Sequence, residues 1–307
     1  MGDAAIAVHG LRKSYGEHQV IRGISFEVSG GEVLGFLGPN GAGKSTTIEI
    51  LEGFRPRTGG DVTVLGFDPA KRPRELRARM GLVLQDSELD PNLSVRETIA
   101  MFAGLYPSPR AVGEVIELVG LDGREDSLVG TLSGGQRRRA DVAVGIVGDP
   151  DVVFLDEPTT GFDPSARREA WSMIEGLKQL GKTVFLTTHY MDEAQHLADR
   201  VIILRDGRII ASGSPDELEG GAGHETVVTF RVPGGADAGS LSEVAGERVR
   251  VDGAQATIAT ADAQRTLFRL TSWADQAGAT LEGLQARRPS LEDVFLELTS
   301  EGSRAEG

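Results

Sequence analysis

The sequence predicts an α/β domain followed by a small α+β domain, and three observations carry that prediction. VVFLDE and TVFLTTH contain continuous apolar runs, as expected of strands covered by helices on both faces of a sheet. The helical segment ARREAWSMIEGLKQL lies between them, and this alternation is typical of a parallel sheet. Beyond the glycine-rich segment GGAGHE the strand-like and helical segments lose this pattern. We therefore place one domain at residues 1–222 and another at 223–307, with disordered last residues.

The N-terminal segments predict an antiparallel β subdomain and then a helical one. Apolar and polar residues alternate in ISFEV, and the turn SGGE leads into the buried strand VLGFL. A helix at STTIEILEGF and the strands DVTVLGF and MGLVLQ follow. The pattern then becomes helical, because Ser94 and Glu97 have the spacing of a capping box. We expect a helical subdomain at about residues 87–145.

Composition argues against several classes of function. The chain has 46 acidic and 32 basic residues, and its net charge of −14 disfavours nucleic acid as a partner. No apolar run approaches the ~18 residues of a membrane span, and the N-terminus lacks the layout of a secretory signal. We expect no direct membrane insertion and a cytoplasmic location. With no cysteine and five scattered histidines, the site chemistry must use oxygen, nitrogen and phosphate.

A phosphate-binding loop follows the predicted strand VLGFL. The segment GPNGAGKS fits the pattern G-x-x-x-x-G-K-[ST], and a helix follows at once. Glycines let backbone N–H groups turn towards phosphates, and the helix N-terminus adds its positive dipole. Lys44 would reach the β and γ oxygens, Ser45 would ligate Mg²⁺, and Thr46 would add a contact. The predicted nucleotide-binding residues of the loop are Gly38, Asn40, Gly41, Gly43, Lys44, Ser45 and Thr46.

Two adjacent carboxylates end the apolar strand of VVFLDE. Asp156 would hold Mg²⁺, and Glu157 would polarise the attacking water. Strand ends often carry solvated carboxylates, so the pair gains its weight from the phosphate loop that precedes it. A GTPase is disfavoured, because the chain has no Asn-Lys-x-Asp motif. A nucleotide or sugar kinase would leave a second glycine turn, LSGGQ, without explanation.

The order of six motifs resembles the ATP-binding subunit of an ABC transporter, over residues 4 to about 220. LSGGQ is the signature of that family. The resemblance implies a P-loop NTPase core of the ABC ATPase type, which binds ATP and Mg²⁺ and hydrolyses ATP. The matching residues are Gly38–Thr46, Gln85, Leu132–Gln136, Asp156–Glu157, Asp163 and His189.

The resemblance also implies roles for residues outside the phosphate loop. Tyr15 would stack on adenine, and Gln85 would sense the metal and the membrane partner. Asp163 would join two subunits, and His189 would clamp the γ-phosphate. Taken singly, each has a structural alternative, such as a strand aromatic or a helix cap. Phe162 departs from the family, which usually has leucine before this aspartate.

The signature turn implies a homodimer. In the family this turn caps the γ-phosphate of the ATP that the other subunit holds, so a complete site needs two copies. The residues implied are Ser133, Gly134, Gly135 and Gln136. The run Arg137–Arg139 that follows is expected mainly to meet solvent, with ion pairs across the dimer as the alternative.

A separate transmembrane permease is the other implied partner. The resemblance places its docking site at the helical insertion around residues 85–106, which makes the chain peripheral on the inner face of the plasma membrane. The tail RRPSLEDVFLELT resembles daunorubicin-type drug-resistance exporters, which implies export of a drug or other hydrophobic compound. Lipid or polysaccharide export is an alternative. A soluble ATPase of ribosomes or DNA is another, although such members carry paired ATPase units or a long coiled coil, and neither is present here.

The same tail has a purely structural interpretation. Leu291, Val294, Phe295 and Leu298 fall on one helical face after a Ser290 cap. This pattern predicts a helix that closes its own small domain.

Overall fold

The computed structural model describes residues 4–83, 89–221, 226–232, 238–287 and 290–300. Gln85 and residues 301–307 lie outside the described residues, so the disorder of the last residues stays a prediction. The chain divides into two compact units, residues 1–215 and 216–307. Each unit is described by itself.

The first unit contains the predicted alternation of strands and helices. Its strands are β1 (Ala4–Tyr15), β2 (His18–Ser29), β3 (Val33–Leu37), β4 (Gly59–Val64), β5 (Met80–Val83), β6 (Val152–Asp156), β7 (Thr183–Thr188), β8 (Arg200–Arg205) and β9 (Arg208–Gly213). Its helices are α1 (Lys44–Leu51), α2 (Arg74–Arg77), α3 (Val95–Ala103), α4 (Val112–Leu118), α5 (Gly134–Ile146), α6 (Pro164–Gln179) and α7 (Met191–Leu197). Short 3₁₀ helices occupy Pro69–Lys71 and Val129–Thr131, and α8 (Pro215–Gly221) begins at the unit's last residue.

The N-terminal strands form an antiparallel sheet in the order β2-β1-β4. β1 and β2 pair as a hairpin and each is 12 residues long, so β2 extends well beyond the segment ISFEV that indicated it. The buried residues of both strands alternate with exposed ones, because one face of the sheet covers the core and the other meets solvent.

The central sheet has the strand order β5-β6-β7-β3-β8-β9, and only the pairing of β8 with β9 is antiparallel. Every residue of β3 and of β7 is buried, in accord with the apolar runs of the sequence. Parallel strands present their carboxyl ends at one edge of a sheet. The phosphate loop after β3, the carboxylates at the end of β6 and His189 after β7 therefore meet at that edge.

Aromatic side chains join the two sheets in one core. The rings of Phe36 and Phe185 lie 5.3 Å apart between centroids, Phe154 lies 5.8 Å from Phe185, and Phe26 of β2 lies 5.6 Å from Phe36. Burial of each such side chain contributes ~1.5–3 kcal/mol. The phosphate loop and the carboxylates thus extend from a rigid base.

Helices α3, α4 and α5 occupy the segment for which a helical subdomain was predicted, and they pack in a second core cluster. The Ser94–Glu97 capping box of α3 is confirmed, since the Ser94 side chain accepts from the Glu97 N–H at 3.2 Å. α5 also begins with a capping box. The Ser133 hydroxyl accepts from the Gln136 N–H at 3.3 Å, and the Gln136 side chain accepts from the Ser133 N–H at 3.1 Å.

The second unit is a small α+β domain, as predicted. Its sheet has the antiparallel order β11-β12-β10-β13, and residues such as Val228, Phe230 and Ile258 pack against α9 and α10. Ser290 accepts from the Asp293 N–H at the start of the last helix, α11, in which Leu291 and Val294 are buried. The elements are β10 (Thr226–Arg231), α9 (Ala238–Ala245), β11 (Val249–Asp252), β12 (Gln255–Thr260), α10 (Ala263–Ala277), β13 (Glu282–Arg287) and α11 (Leu291–Ser300).

Within the described residues, every helix is too short or too polar to cross a bilayer.

Candidate active site

The phosphate loop requires glycine at two points for different reasons. A Cβ on Gly38 would lie 2.4 Å from the Leu204 carbonyl oxygen, so no side chain fits there. Gly43 has φ +108°, a conformation that L side chains rarely adopt, and it caps α1 without any side-chain hydrogen bond. Around Gly41, with φ +81°, nothing lies within 4 Å of a built Cβ. The loop is therefore open at its tip, and the start of α1 is left to an outside acceptor such as a phosphate oxygen.

Lys44 lies folded into this loop. Its Nζ donates to the carbonyl oxygens of Gly38 at 2.7 Å and Pro39 at 3.3 Å, and the side chain is buried. Burial lowers the pKa of Lys44, while Glu157 and Asp156 oppose that shift. A buried ammonium group beside an uncapped helix start fits an anionic ligand. Ser45 and Asn40 are exposed and Thr46 is half-buried, so their side chains are accessible to the same ligand.

Asp156 ends β6 and is held by the neighbouring strand. The Thr187 hydroxyl donates to Asp156 Oδ1, because the two residues are in register across β6 and β7. Burial raises the pKa of Asp156, and the Thr187 hydrogen bond opposes this rise. No group of three His, Cys, Asp or Glu in the described part of the chain could hold a metal by itself. Carboxylate and hydroxyl oxygens from Asp156 and Ser45 fit Mg²⁺ that also keeps phosphate and water ligands.

Glu157 adopts an uncommon backbone conformation, with φ +46°. Such a conformation in a non-glycine residue costs ~1–3 kcal/mol and persists only where the surroundings enforce it. Here the Glu157 N–H donates to the backbone oxygen and the hydroxyl of Thr187, both at 3.1 Å. Glu157 Oε2 accepts from the Thr160 hydroxyl at 3.1 Å and lies 3.4 Å from His189 Nδ1. The predicted base and the predicted phosphate clamp are thus neighbours.

The signature turn faces a different space. A depression of about 1110 Å³ is lined by Ser133–Arg139, Asp141, Thr160–Asp163, Ser165, Ala166 and Glu169. None of these lining residues belongs to the phosphate loop. Because the Ser133 hydroxyl makes no hydrogen bond to the described residues other than accepting the Gln136 N–H, its hydrogen is available for donation. The Gln136 carboxamide oxygen is occupied by the cap, which leaves its NH₂ group for a ligand.

Asp163 is the N-cap of α6 on the rim of this depression. Its Oδ1 accepts from the N–H groups of Ser165 at 2.8 Å and Ala166 at 3.0 Å, and these bonds lower the pKa of Asp163. The helix-cap alternative therefore describes its local role. Phe162 lines the same depression.

The prediction that Arg137–Arg139 mainly meet solvent holds for the exposed Arg137 and is wrong for the other two. Arg138 is buried and donates to the carbonyl oxygens of Asp156 at 3.1 Å and Pro158 at 3.2 Å. Arg139 pairs with Glu169 and donates to the Gly120 carbonyl oxygen at 2.9 Å. The sequence already indicated that one of these arginines would be buried. Three consecutive residues of a helix point in different directions, so one of the three faces the core side of α5.

Tyr15 ends β1 with 43% of its surface exposed. Lys13 Nζ lies 4.8 Å and Arg55 Cζ lies 5.4 Å from the centroid of its ring. An accessible aromatic ring flanked by cations suits stacking on a base. Lys13 and Arg55 were missed in the sequence, because their contact with Tyr15 depends on how β1 meets the segment after α1.

Two family models match the chain. Residues 21–160 match the model described as ABC transporter. Residues 226–290 match the model described as ABC transporter domain-containing protein-like, C-terminal domain. The matches fall in the first and second units, respectively.

Relatives resemble the chain over nearly its whole length. A Nod factor export ATP-binding protein I of Rhizobium sp. (strain N33) is 41% identical, over 97% of this chain and 98% of the relative. A daunorubicin resistance ATP-binding protein of Streptomyces coeruleorubidus is 39% identical, over 100% of this chain and 98% of the relative. Both comparisons therefore include the second unit.

Solved structures agree on the fold. The protein cbiO1 of Clostridium perfringens, part of the ABC transporter complex cbiONQ, has a TM-score of 0.65 at 30% identity over 70% of this chain and 90% of its own. A structure described as the ATP-binding subunit of an ABC transporter has a TM-score of 0.64 at 26% identity, over 71% of this chain and 93% of its own. With these similarities, the phosphate loop and the signature turn have one explanation: the chain belongs to the ABC transporter family and is one of its ATP-binding, ATP-hydrolysing subunits.

Proposed function

We propose that two copies of this chain close around two ATP molecules and thereby drive a separate membrane permease. One observation carries the proposal. Glycines lie at the starts of two helices, α1 and α5, and the start of α5 opens onto a depression that contains no phosphate-loop residue. A single triphosphate cannot use both, so the signature turn serves the ATP of a second copy.

The phosphate loop supplies the first half of each site. Lys44 exchanges its bonds to Gly38 and Pro39 for phosphate oxygens, and the N–H groups of the loop and of α1 complete the cradle. Tyr15 stacks on the base. Ser45 and Asp156 would hold Mg²⁺, which when bound would supply positive charge to offset that of the phosphates. Gln85 is proposed as a further metal contact from its sequence position.

Hydrolysis depends on Glu157 and His189. Glu157 polarises the water that attacks the γ-phosphate, a role worth ~10²–10⁴ in rate. His189 contacts the γ-phosphate and orients Glu157, which is 3.4 Å away. The signature residues of the partner copy, Ser133 to Gln136, donate to the same phosphate, and Asp163 lies at the junction of the two copies.

The energy of these contacts is sufficient for a switch. Driving a pair of copies from 1:99 to 99:1 closed requires ~5.5 kcal/mol of differential affinity. Charge-assisted hydrogen bonds contribute ~1.5–3 kcal/mol each, so three or four contacts to the γ-phosphate are enough. Hydrolysis removes that phosphate and the dimer reopens. The cycle of closing and opening does mechanical work on an attached subunit.

Export is the direction that the relatives support. Their names describe export of Nod factor in one group and resistance to daunorubicin or doxorubicin in the other. We infer that the chain works on the cytoplasmic face of a membrane, bound to a permease that exports a drug-like or other hydrophobic compound. The similarity to these relatives also extends over the second unit, which supports placing the chain in the same subfamily as the relatives.

An ATP-dependent pull-down tests this function. Tagged Glu157→Gln protein is incubated with ATP and detergent-solubilised membranes of the source cell, with ADP as the control. We expect one polytopic membrane protein in about equal amount with ATP, identified by mass spectrometry, and much less with ADP. Recovery of ribosomal or DNA-repair proteins without a membrane protein would reject the transport function.

A further inference from the structure

We propose that Arg167 and Tyr190 act as positioning residues that hold His189 against Glu157. The inference rests on the proposed function, in which His189 and Glu157 carry hydrolysis. It adds Arg167 and Tyr190 to that site, two residues that belong to none of the motifs described above.

Three contacts join four side chains in series. The rings of His189 and Tyr190 lie 4.1 Å apart between centroids, at an angle of 38°. Arg167 Cζ lies over the Tyr190 ring, 3.9 Å from its centroid. His189 Nδ1 is in turn 3.4 Å from Glu157 Oε2. The Arg167 guanidinium is thus connected to Glu157 through two aromatic rings.

His189 needs such support because of where it lies. His189 and Tyr190 form the whole connection between β7 and α7, and 41% of the His189 side chain is exposed. An exposed imidazole on a short connection can adopt several rotamers. The half-buried Tyr190 ring removes part of that freedom, because it occupies the space beside the imidazole.

In its position over the Tyr190 ring, Arg167 does not satisfy all of its hydrogen-bond donors. Its Nη1 donates to Asp192 Oδ2 at 3.2 Å, but its Nε is buried without a hydrogen-bond partner among the described residues. A buried N–H that makes no hydrogen bond lowers stability. The side chain therefore keeps an arrangement that favours the contact with Tyr190 over complete hydrogen bonding.

The same arginine connects the site to the signature face. Arg167 is in the first turn of α6, and its N–H donates to the Asp163 carbonyl oxygen at 3.0 Å. Asp163 lines the depression that we assign to the partner copy. A partner copy that contacts this turn would change the position of Arg167, and through Tyr190 the position of His189. Closing of the dimer is thereby coupled to the alignment of His189 with Glu157.

A set of matched variants tests the inference. Tyr190→Leu and Arg167→Leu remove the ring and the cation, and Tyr190→Phe keeps the ring. Each change is made in the wild-type chain and in His189→Ala, and single-turnover ATP hydrolysis with excess protein is measured so that low rates are resolved. Melting temperatures report folding. If Arg167→Leu melts early, Arg167→Gln replaces it, because it keeps a donor for Asp192.

We expect Tyr190→Leu and Arg167→Leu to lower the rate about tenfold, with ATP affinity changed less than about twofold. Tyr190→Phe should retain the wild-type rate. In the His189→Ala chain the same changes should have no further effect, because they act through His189. Equal losses with and without His189, a Phe variant as slow as the Leu variant, or no loss at all would each overturn the proposal.

The controls separate this inference from the proposed function. If His189→Ala and Glu157→Gln hydrolyse ATP at the wild-type rate, the proposed catalytic roles fail. If both are slow but the Tyr190 and Arg167 variants are not, only the positioning role fails.

Discussion

His189 Nδ1 lies 3.4 Å from Glu157 Oε2, although the two residues are 32 positions apart in the chain. They meet because β6 and β7 are adjacent parallel strands and each residue follows a strand end. A general base and a phosphate clamp are useful only at such a distance, where both reach one phosphate and its attacking water. Substitution of Glu157 therefore provides the first test of the site.

Replacing Glu157 with glutamine should lower turnover strongly and leave nucleotide binding intact. The amide keeps the size of the side chain but cannot polarise water, so we expect hydrolysis to fall ~10²–10⁴-fold. Phosphate release at saturating ATP and calorimetric binding of ATP measure the two properties. Glu75→Gln, an exposed change on α2, is the control. A Glu157→Gln rate within a few fold of wild type would remove Glu157 from the mechanism.

Lys44→Met should weaken binding of ATP rather than fold stability. The buried ammonium group donates to two loop carbonyls and is placed to donate to phosphates instead. Loss of one charge-assisted contact worth ~1.5–3 kcal/mol predicts a Kd ~10–100-fold higher. Titration calorimetry with MgATP measures it, and the exposed Lys71→Met is the matched control. Unchanged affinity would contradict the position that we assign to Lys44.

Glu52 should make stability depend on pH. Burial, together with Asp156 and Glu49, raises the pKa of Glu52 from 4.5 to about 8. Between these values the folded chain keeps a proton that the unfolded chain has released, so this group's contribution to stability falls as pH rises. Glu52→Gln cannot ionise and should raise the melting temperature more at pH 8 than at pH 5, measured without nucleotide. An equal change at both pH values would show that Glu52 does not titrate in this way.

Arg138→Met should lower stability more than the same change at the exposed Arg137. Its guanidinium donates to the Asp156 and Pro158 carbonyl oxygens, and the deletion leaves both without these donors. Each lost bond to a charged donor costs ~1.5–3 kcal/mol, which corresponds to a fall of several degrees in melting temperature. Calorimetry of Arg137→Met and Arg138→Met makes the comparison. Equal melting temperatures of the two variants would instead support the interpretation that Arg138 is exposed to solvent.

The site residues that could be predicted without the family resemblance follow strands of a parallel sheet. Lys44 and Glu157 could be predicted together, because topology brings strand ends to one edge, whereas the role of His189 came from the family resemblance. Arg138 was misjudged, because a run of charges conceals which member faces inward. The contact of Arg167 with Tyr190 could not be predicted, since it depends on how α6 packs against the turn after β7.

Mixing two inactive variants tests most directly whether each site is shared by two copies. Lys44→Ala loses the phosphate loop and Ser133→Arg loses the signature contact, so neither homodimer has a complete site. A heterodimer combines one intact loop with one intact signature. An equal mixture should therefore recover about a quarter of the wild-type rate of phosphate release, because half of the dimers are mixed and each has one site. A mixture no faster than the two variants measured separately would contradict the shared site.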